Sequence, residues 1–234
     1  MRRILIILAG LILAGPAASL AQTSPPPPDP ARFATEFAAF EAQDHAQPPG
    51  DCRIVFVGSS TIRFWASLDA DMSGMRVMNR GFGGAQISDI NAVFDRFVAP
   101  YHPRAIVFYA GENDYAAGRT APDIVADFAH FMDLKTRALG ATPVFFISLK
   151  PSRLREAQIP GQAWINARIR SMAAGRRDLV YIDVVPAMLG PDHRPLDIFR
   201  PDGLHMTPAG YAIWTPIVTR ALHSRRLSTA ACPD

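Results

Sequence analysis

Two short blocks of the sequence carry side chains suited to nucleophilic chemistry. Ser60 ends the run Gly58-Ser59-Ser60, and its hydroxyl is a candidate nucleophile at the start of a helix. His205 lies three residues after Asp202. At that spacing the carboxylate can reach Nδ1 and leave Nε2 free to act as a base. A Ser, a His and an Asp in these roles would catalyse acyl transfer.

Two further blocks could stabilise the negative charge that develops in such a reaction. Asn79-Arg80-Gly81-Phe82-Gly83-Gly84 is rich in glycine, which lets backbone N–H groups face a ligand. In Gly111-Glu112-Asn113-Asp114, the amide of Asn113 could donate a hydrogen bond to an oxyanion. The first block is not G-x-G-x-x-G, which disfavours a dinucleotide, and the absence of G-x-S-x-G from the sequence argues against an α/β-hydrolase nucleophile elbow.

Each block taken alone also has a plainer interpretation. Ser59 or Ser60 could cap a helix, Asn113 could close an Asx turn, and glycine-rich turns are common. Asp202 and His205 could pair only for local stability. The blocks favour chemistry because each of them follows a predicted strand, and ligands bind beyond the carboxyl ends of the strands in a parallel sheet.

The elements that would position these blocks alternate along the chain. Short apolar runs predict buried strands near 53–57, 77–79, 105–109, 143–148 and 179–183. Helical patterns lie near 30–44, 61–70, 86–99, 121–138, 161–174 and 208–225. Strands with nearly continuous apolar runs, alternating with helices, predict one α/β domain in which a parallel sheet lies between two helical layers.

The N-terminus has the pattern of an export signal. Arg2 and Arg3 precede an apolar run, Ile4–Leu13, and Ser19-Leu20-Ala21 supplies the small residues of a cleavage site. We therefore expect residues 1–21 to be a signal peptide, 22–30 a proline-rich linker and 31–234 the folded domain. A transmembrane anchor is the alternative, but the run is short for a span of about 20 residues. The expected location is periplasmic or secreted, in a bacterium.

Composition limits the possible partners. The 234 residues are 49% hydrophobic and 19% charged, which excludes a disordered chain. The formal charge of +3 includes Arg2 and Arg3, so the chain without its signal is close to neutral. Lysine occurs only as Lys135 and Lys150, so the lysine-rich stripes that follow phosphate backbones are absent and nucleic acid is a poor candidate partner.

The two cysteines and the remaining polar residues point to no metal. In an exported protein, Cys52 and Cys232 are candidates for a disulfide, and two unpaired thiols are the alternative. Neither cysteine has the spacing of a metal ligand. His193 lies near Asp192 and Asp197 in a pattern that matches no metal motif. Core packing is the default expectation for the larger aromatic residues, although four could shape a substrate pocket: Trp65, Tyr115, Trp164 and Phe199.

With these blocks in this order and spacing, the chain from about Ile54 to Trp214 resembles the SGNH (GDSL-like) hydrolases. The resemblance implies a flavodoxin-like, three-layer α/β/α fold with a five-stranded parallel sheet in the order 2-1-3-4-5. It implies that Ser60 is the nucleophile and that Asp202 and His205 are the orienting acid and the base. Ser60, Gly84 and Asn113 would form the oxyanion hole. Ser59 stands where the family has an aspartate.

The resemblance also implies an activity. SGNH hydrolases are serine esterases and lipases, so we expect cleavage of carboxylic esters with no metal or cofactor. The substrate would be a small-molecule or glycan ester, with no membrane span left after signal removal; the oligomeric state stays open. One alternative is a carbohydrate O-acetylesterase, which would use the same residues. Another, of a different class, is a non-catalytic exported binding protein on the same scaffold.

Overall fold

Five apolar runs form the strands of one sheet in the computed structural model, which describes residues 28–48, 50, 52–225 and 227. The strands are β1 (Ile54–Gly58), β2 (Val77–Gly81), β3 (Ala105–Tyr109), β4 (Val144–Ile147) and β5 (Leu179–Ile182). They lie in the order β2-β1-β3-β4-β5, and neighbouring strands pair in parallel. The predicted α/β class, the parallel sheet and its strand order are confirmed.

Helices connect these strands. Among the described residues they are α1 (Ala34–Ala46), α2 (Ser60–Arg63), α3 (Leu68–Asp71), α4 (Ile87–Ala92), α5 (Phe94–Phe97), α6 (Glu112–Ala116), α7 (Ala121–Leu139), α8 (Ile159–Ala174) and α9 (Pro208–His223). Single 3₁₀ turns occur at Pro30–Phe33, Ala99–Tyr101, Glu156–Gln158 and Pro186–Met188. At the first of these turns, Asp29 accepts a hydrogen bond from the backbone N–H of Ala31 (3.0 Å) and so leads the chain into α1.

Side chains alternate along the strands and divide the core into two layers. Val55 and Phe108 face one layer, where the sheet packs against α1, α4, α5, α7 and α8. Phe56 and Tyr109 face the opposite layer, with α2, α3 and α9. Because both faces of the sheet are covered, β1, β3, β4 and β5 are apolar almost throughout, whereas β2, at the edge, also carries Asn79 and Arg80. The three-layer arrangement predicted from the alternation of elements is therefore present.

Two helical predictions need correction. The helix expected at 61–70 is interrupted between α2 and α3, because Trp65 turns into the core and its Nε1 donates to Asp71 (2.6 Å). The helix expected at 86–99 is split into α4 and α5 at Val93, where the backbone leaves the helical region (φ −111°, ψ 12°). The block that carries Asn113, for which an Asx turn was the plainer interpretation, forms the short helix α6.

Several predictions fall on segments outside the described residues. The signal peptide (1–21), most of the linker (22–30) and Cys232 belong to them. Cys52 lies buried just ahead of β1 and is not a free thiol. Because Cys232 lies outside the described residues, the pairing of these two cysteines stays a prediction. Within the described part of the chain, no helix combines the length and apolar character that crossing a membrane requires.

Candidate active site

The turn after β1 depends on a close approach between two strands. A Cβ on Gly58 would lie 2.1 Å from the carbonyl oxygen of Tyr109, so only glycine fits there. The next N–H, that of Ser59, donates to the same carbonyl (3.0 Å) and holds the chain against β3. Ser60 is then the first residue of α2. Ser59 occupies the N-cap position, but its side chain makes no capping hydrogen bond.

The helix that begins at Ser60 is held from two sides. Asn79, in β2, donates from Nδ2 to the carbonyl of Ile62 (2.7 Å). On the other side, the hydroxyl of Tyr211 in α9 donates to the carbonyl of Thr61 (2.9 Å). Both contacts are made to backbone atoms of α2, so the position of Ser60 is fixed relative to the sheet and to α9.

Ser60, His205 and Asp202 form one continuous line of hydrogen bonds. Ser60 Oγ lies 2.8 Å from His205 Nε2, and His205 Nδ1 lies 2.7 Å from Asp202 Oδ2. The other oxygen, Oδ1, accepts the backbone N–H groups of Leu204 and His205, each at 2.9 Å. Burial raises the pKa of Asp202, but the hydrogen bonds from His205 and from these N–H groups outweigh it and lower the pKa to about 2. The carboxylate is therefore ionised throughout the neutral range.

The imidazole of His205 is oriented by packing as well as by hydrogen bonds. Its ring meets the ring of Phe64 edge to face, with centroids 4.9 Å apart. The guanidinium of Arg200 lies over the ring of Phe64, 4.6 Å from its centroid. The His205 side chain is 21% exposed, so the ring is both held in place and reachable by a small substrate or by water.

The start of α2 and the glycine-rich turn after β2 each present a backbone N–H group to which the described residues offer no acceptor. Phe82 donates to the carbonyl of Gly58 (3.0 Å), which brings the glycine-rich turn against the start of α2. Gly84 in this turn has a φ of +75°, a conformation that favours glycine. The N–H groups of Ser60 and Gly84 donate to no acceptor among the described residues.

The side chain of Asn113 reaches the same turn from α6. Its Nδ2 donates to the carbonyl of Ala85, the residue after Gly84 (3.0 Å). One of the two hydrogens on that nitrogen makes this bond, and the second is available to a ligand. The three donors expected from the sequence therefore belong to linked segments at the carboxyl edge of the sheet.

Comparison with known proteins agrees with this arrangement. The model of the GDSL-like lipase/acylhydrolase family matches residues 49–213, more than half of the chain. The chain belongs to that family. Because this is a family of lipases and acylhydrolases, the chain is an ester hydrolase. The resemblance stated from the motifs is thereby confirmed. Among curated proteins, none matches the sequence significantly.

Solved structures with the same fold include other GDSL-like proteins. A GDSL-like lipase from Bacteroides thetaiotaomicron has a TM-score of 0.68 and 20% identity, over 80% of this chain and 97% of that one. A candidate platelet activating factor from Streptococcus pneumonia has a TM-score of 0.72 and 17% identity, over 82% and 93%. A carbohydrate esterase family 3 protein from Talaromyces cellulolyticus has a TM-score of 0.60 and 17% identity, over 74% and 97%. At these identities the likeness shows the fold alone.

In this GDSL-like hydrolase, Asp114 of the G-x-N-D block holds the segment that follows the glycine-rich turn. Asp114 is fully buried, and its Oδ1 accepts the backbone N–H of Ile87 at the start of α4 (2.9 Å). Its Oδ2 is buried with no hydrogen-bond partner among the described residues. Burial raises the pKa of Asp114 from 3.8 to about 7, even though backbone N–H groups donate to it and oppose the rise.

Sequence reasoning missed a buried charged cluster next to Asn113. Lys150 Nζ lies 2.7 Å and 3.1 Å from the two oxygens of Glu112, and the hydroxyl of Tyr109 donates to the same carboxylate (2.5 Å). Burial lowers the pKa of Lys150, whereas the carboxylate of Glu112 raises it part of the way back. Arg155 joins the cluster, with Nη1 3.7 Å from Glu112 Oε1. One available signal was that Lys150, one of only two lysines in the chain, lies three residues after the end of the apolar strand β4.

Several other candidates named from the sequence have structural positions of their own. Among the described residues, no group of His, Cys, Asp and Glu side chains could hold a metal, and Asp197 pairs instead with Arg153 (2.9 Å). Trp65 and Phe199 are buried in the core, in line with the default expectation for aromatics. Trp164 is 42% exposed on α8.

Proposed function

We propose that this protein is an exported serine hydrolase that cleaves carboxylic esters through Ser60, His205 and Asp202 by way of an acyl-enzyme. The observation that carries the proposal is the continuous hydrogen-bonded line from Ser60 Oγ through the imidazole to Asp202. Nε2 of His205 is the ring nitrogen at the serine, and Nδ1 is the one at the carboxylate. This is the geometry that a general base needs in order to activate a hydroxyl nucleophile.

In the first half of the reaction, Oγ of Ser60 attacks the ester carbonyl carbon while Nε2 of His205 takes the hydroxyl proton. Asp202 holds the proton on Nδ1 and stabilises the imidazolium that forms. When the tetrahedral intermediate collapses, the bond between carbon and the alkoxy oxygen breaks. His205 then donates its proton to the departing alcohol, and the acyl group remains on Ser60 as an ester.

In the second half, His205 takes a proton from a water molecule, and the resulting hydroxide equivalent attacks the acyl carbon. Collapse of the second tetrahedral intermediate releases the carboxylic acid, and the proton returns from His205 to Oγ of Ser60. Both intermediates carry an oxyanion. The N–H groups of Ser60 and Gly84 and the amide of Asn113 are its proposed donors, which support both steps equally.

A labelling experiment tests the nucleophile. A fluorophosphonate probe is expected to label the wild-type protein, and Ser60→Ala is expected to abolish both labelling and turnover of p-nitrophenyl acetate. Ser59→Ala is the matched control, because it removes a neighbouring hydroxyl that makes no cap to α2, and it should still be labelled. Wild-type turnover by Ser60→Ala would overturn the assignment. A folded wild-type protein that is neither labelled nor active would favour the non-catalytic binding role instead.

Export is proposed from the pattern of residues 1–21. Expression of the full chain in a bacterium, followed by mass spectrometry of the periplasmic and medium fractions, should recover a protein that begins at Gln22. Recovery of the uncleaved chain from the cytoplasm would contradict this part of the proposal. It would leave the ester chemistry untouched, because the line through His205 involves no residue of that segment.

The class of ester is a separate question, because a carbohydrate O-acetylesterase would use the same residues. One of the solved structures with this fold is named a carbohydrate esterase, which makes acetylated glycans a reasonable first substrate to test. Release of acetate from an acetylated polysaccharide, measured beside hydrolysis of p-nitrophenyl esters of two to twelve carbons, distinguishes the two. Preference for the glycan would favour the O-acetylesterase, and preference for long acyl chains would favour a lipase.

A further inference from the structure

The amide of Asn113 has two orientations of nearly equal shape, and only one of them can serve an oxyanion. With Nδ2 toward the site it donates a hydrogen bond, whereas with Oδ1 toward the site it would place one negative oxygen against another. Something in the protein must therefore select the first orientation. The bond from Nδ2 to the carbonyl of Ala85 (3.0 Å) favours it from one side.

The oxygen end of the Asn113 amide is in contact with Arg155. Its Nη2 lies 2.8 Å from Oδ1 of Asn113 and donates to it. A guanidinium has five N–H donors and no acceptor, so it can face the oxygen of an amide but never its NH₂ group. We propose that Arg155 is a positioning residue of the oxyanion hole, which sets the Asn113 amide with Nδ2 toward the reacting carbonyl. This inference rests on the proposed role of Asn113.

Arg155 is itself largely buried beside a charged cluster. Its side chain is 12% exposed, and Nη1 lies 3.7 Å from the carboxylate of Glu112. Glu112 is anchored in turn by the fully buried Lys150 and by the hydroxyl of Tyr109. Burial raises the pKa of Tyr109, so this hydroxyl stays protonated and donates to the carboxylate. The guanidinium therefore lies against a buried carboxylate that two further groups hold in place.

The contact also strengthens the amide as a donor. A positive group at Oδ1 draws electron density from the amide and makes the hydrogens on Nδ2 more positive. The developing negative charge on the substrate would then be stabilised more than the neutral carbonyl, which is the requirement for a rate effect. Loss of Arg155 should accordingly lower kcat and leave KM nearly unchanged.

The test is a double-mutant cycle on kcat with p-nitrophenyl acetate. Arg155→Met alone should lower kcat by about 10- to 100-fold, the value of a charge-assisted hydrogen bond. Asn113→Ala alone should lower it by about 10²–10³-fold. Because Arg155 acts through the amide, adding Arg155→Met to Asn113→Ala should change kcat by less than about twofold.

Arg153→Ala is the matched control, since Arg153 belongs to the same loop but makes an exposed pair with Asp197. It should keep wild-type kcat. If Arg155→Met does not fold, Arg155→Lys replaces it. A lysine keeps the charge at Glu112 but, as a point donor, cannot also hold Asn113, so its kcat should fall as well.

The outcomes separate this inference from the proposed function. Losses that multiply in the double variant, or wild-type kcat in both Arg155→Met and Arg155→Lys, would overturn the positioning role of Arg155. Wild-type kcat in Asn113→Ala would overturn the proposed role of Asn113 and this inference with it. Loss of kcat in Asn113→Ala without any loss in the Arg155 variants would overturn this inference alone.

Discussion

Exchanging Asp202 for asparagine should disable His205 without disturbing the loop that carries it. Oδ1 of Asp202 accepts two backbone N–H groups, those of Leu204 and His205, each at 2.9 Å. An asparagine can keep both bonds only with its carbonyl oxygen at that position, because an NH₂ group cannot accept them. The NH₂ group then has to face Nδ1 of His205, where the carboxylate oxygen now lies at 2.7 Å.

Replacing the acceptor at Nδ1 by an NH₂ donor changes the tautomer of the His205 imidazole. Facing an NH₂ donor, Nδ1 must accept a hydrogen bond, so the ring proton moves to Nε2. Nε2 then points an N–H at Ser60 Oγ, 2.8 Å away, and can no longer take the hydroxyl proton. In serine hydrolases with a Ser–His–Asp triad, the equivalent exchange lowers kcat by about 10⁴-fold. That factor corresponds to about 5 kcal/mol in the activation barrier.

The assay is kcat for p-nitrophenyl acetate at pH 8, together with the ¹⁵N chemical shifts of the His205 ring. Asp202→Asn should show a loss of about 10⁴-fold, with the proton on Nε2. Asp197→Asn is the control: Asp197 is 88% exposed and should leave kcat unchanged. If Asp202→Asn kept kcat within tenfold of the wild type, or carried its proton on Nδ1, the tautomer argument would be refuted.

Two stability predictions follow from buried charges. The folded protein holds a proton on Asp114 up to about pH 7, which the unfolded chain releases above 3.8, so this group removes stability as pH rises. Urea unfolding should show Asp114→Asn gaining about 2–3 kcal/mol over the wild type between pH 5 and 8, and a constant difference would contradict this. Asp44→Ala removes the carboxylate that neutralises the buried Arg80 and should cost about 3 kcal/mol, whereas Glu41→Ala, on the same helix, breaks an exposed pair and should cost under about 1.

The strands and the ends of the strands could be predicted from the sequence because both leave local signals. A buried parallel strand is a short apolar run, and the polar block after it marks its carboxyl end. The predicted strand 105–109 has the bounds of β3, and the other predicted strands differ from the observed ones by no more than two residues. The strand order came from the family resemblance, since periodicity does not specify which strands are neighbours.

The short helices could not be predicted because they depend on tertiary contacts. α6 begins at Glu112 after Gly111, whose φ of +123° no apolar pattern indicates. α2 ends after four residues so that Trp65 can enter the core between Phe56 and Trp214. In both places packing decides where the helix begins or ends, and local propensity does not.

The four motif blocks could be recognised from the sequence because the residues of each block lie close together along the chain, as Asp202 and His205 do. The contact between Arg155 and Asn113 joins residues 42 positions apart, and no motif marks Arg155 in its own segment. It exists because the loop after β4 folds back over α6, and that path depends on the cluster around Glu112. A pair of this kind can be found only once the loop is seen in three dimensions.

The scarcity of lysine has a structural meaning that the charge count alone did not reveal. Both lysines of the chain are fully buried: Lys150 pairs with Glu112, and Lys135 pairs with Asp178 (2.6 Å) and with the carbonyl of Gly140 (2.9 Å). Lysine therefore contributes no charge to the surface of this protein. Arginine supplies all of the fixed surface cations, and in the described residues many of these are already paired with carboxylates, as Arg96 is with Glu41. A near-neutral, lysine-free surface suits an uncharged ester better than a polyanion, which agrees with the ester chemistry proposed for Ser60.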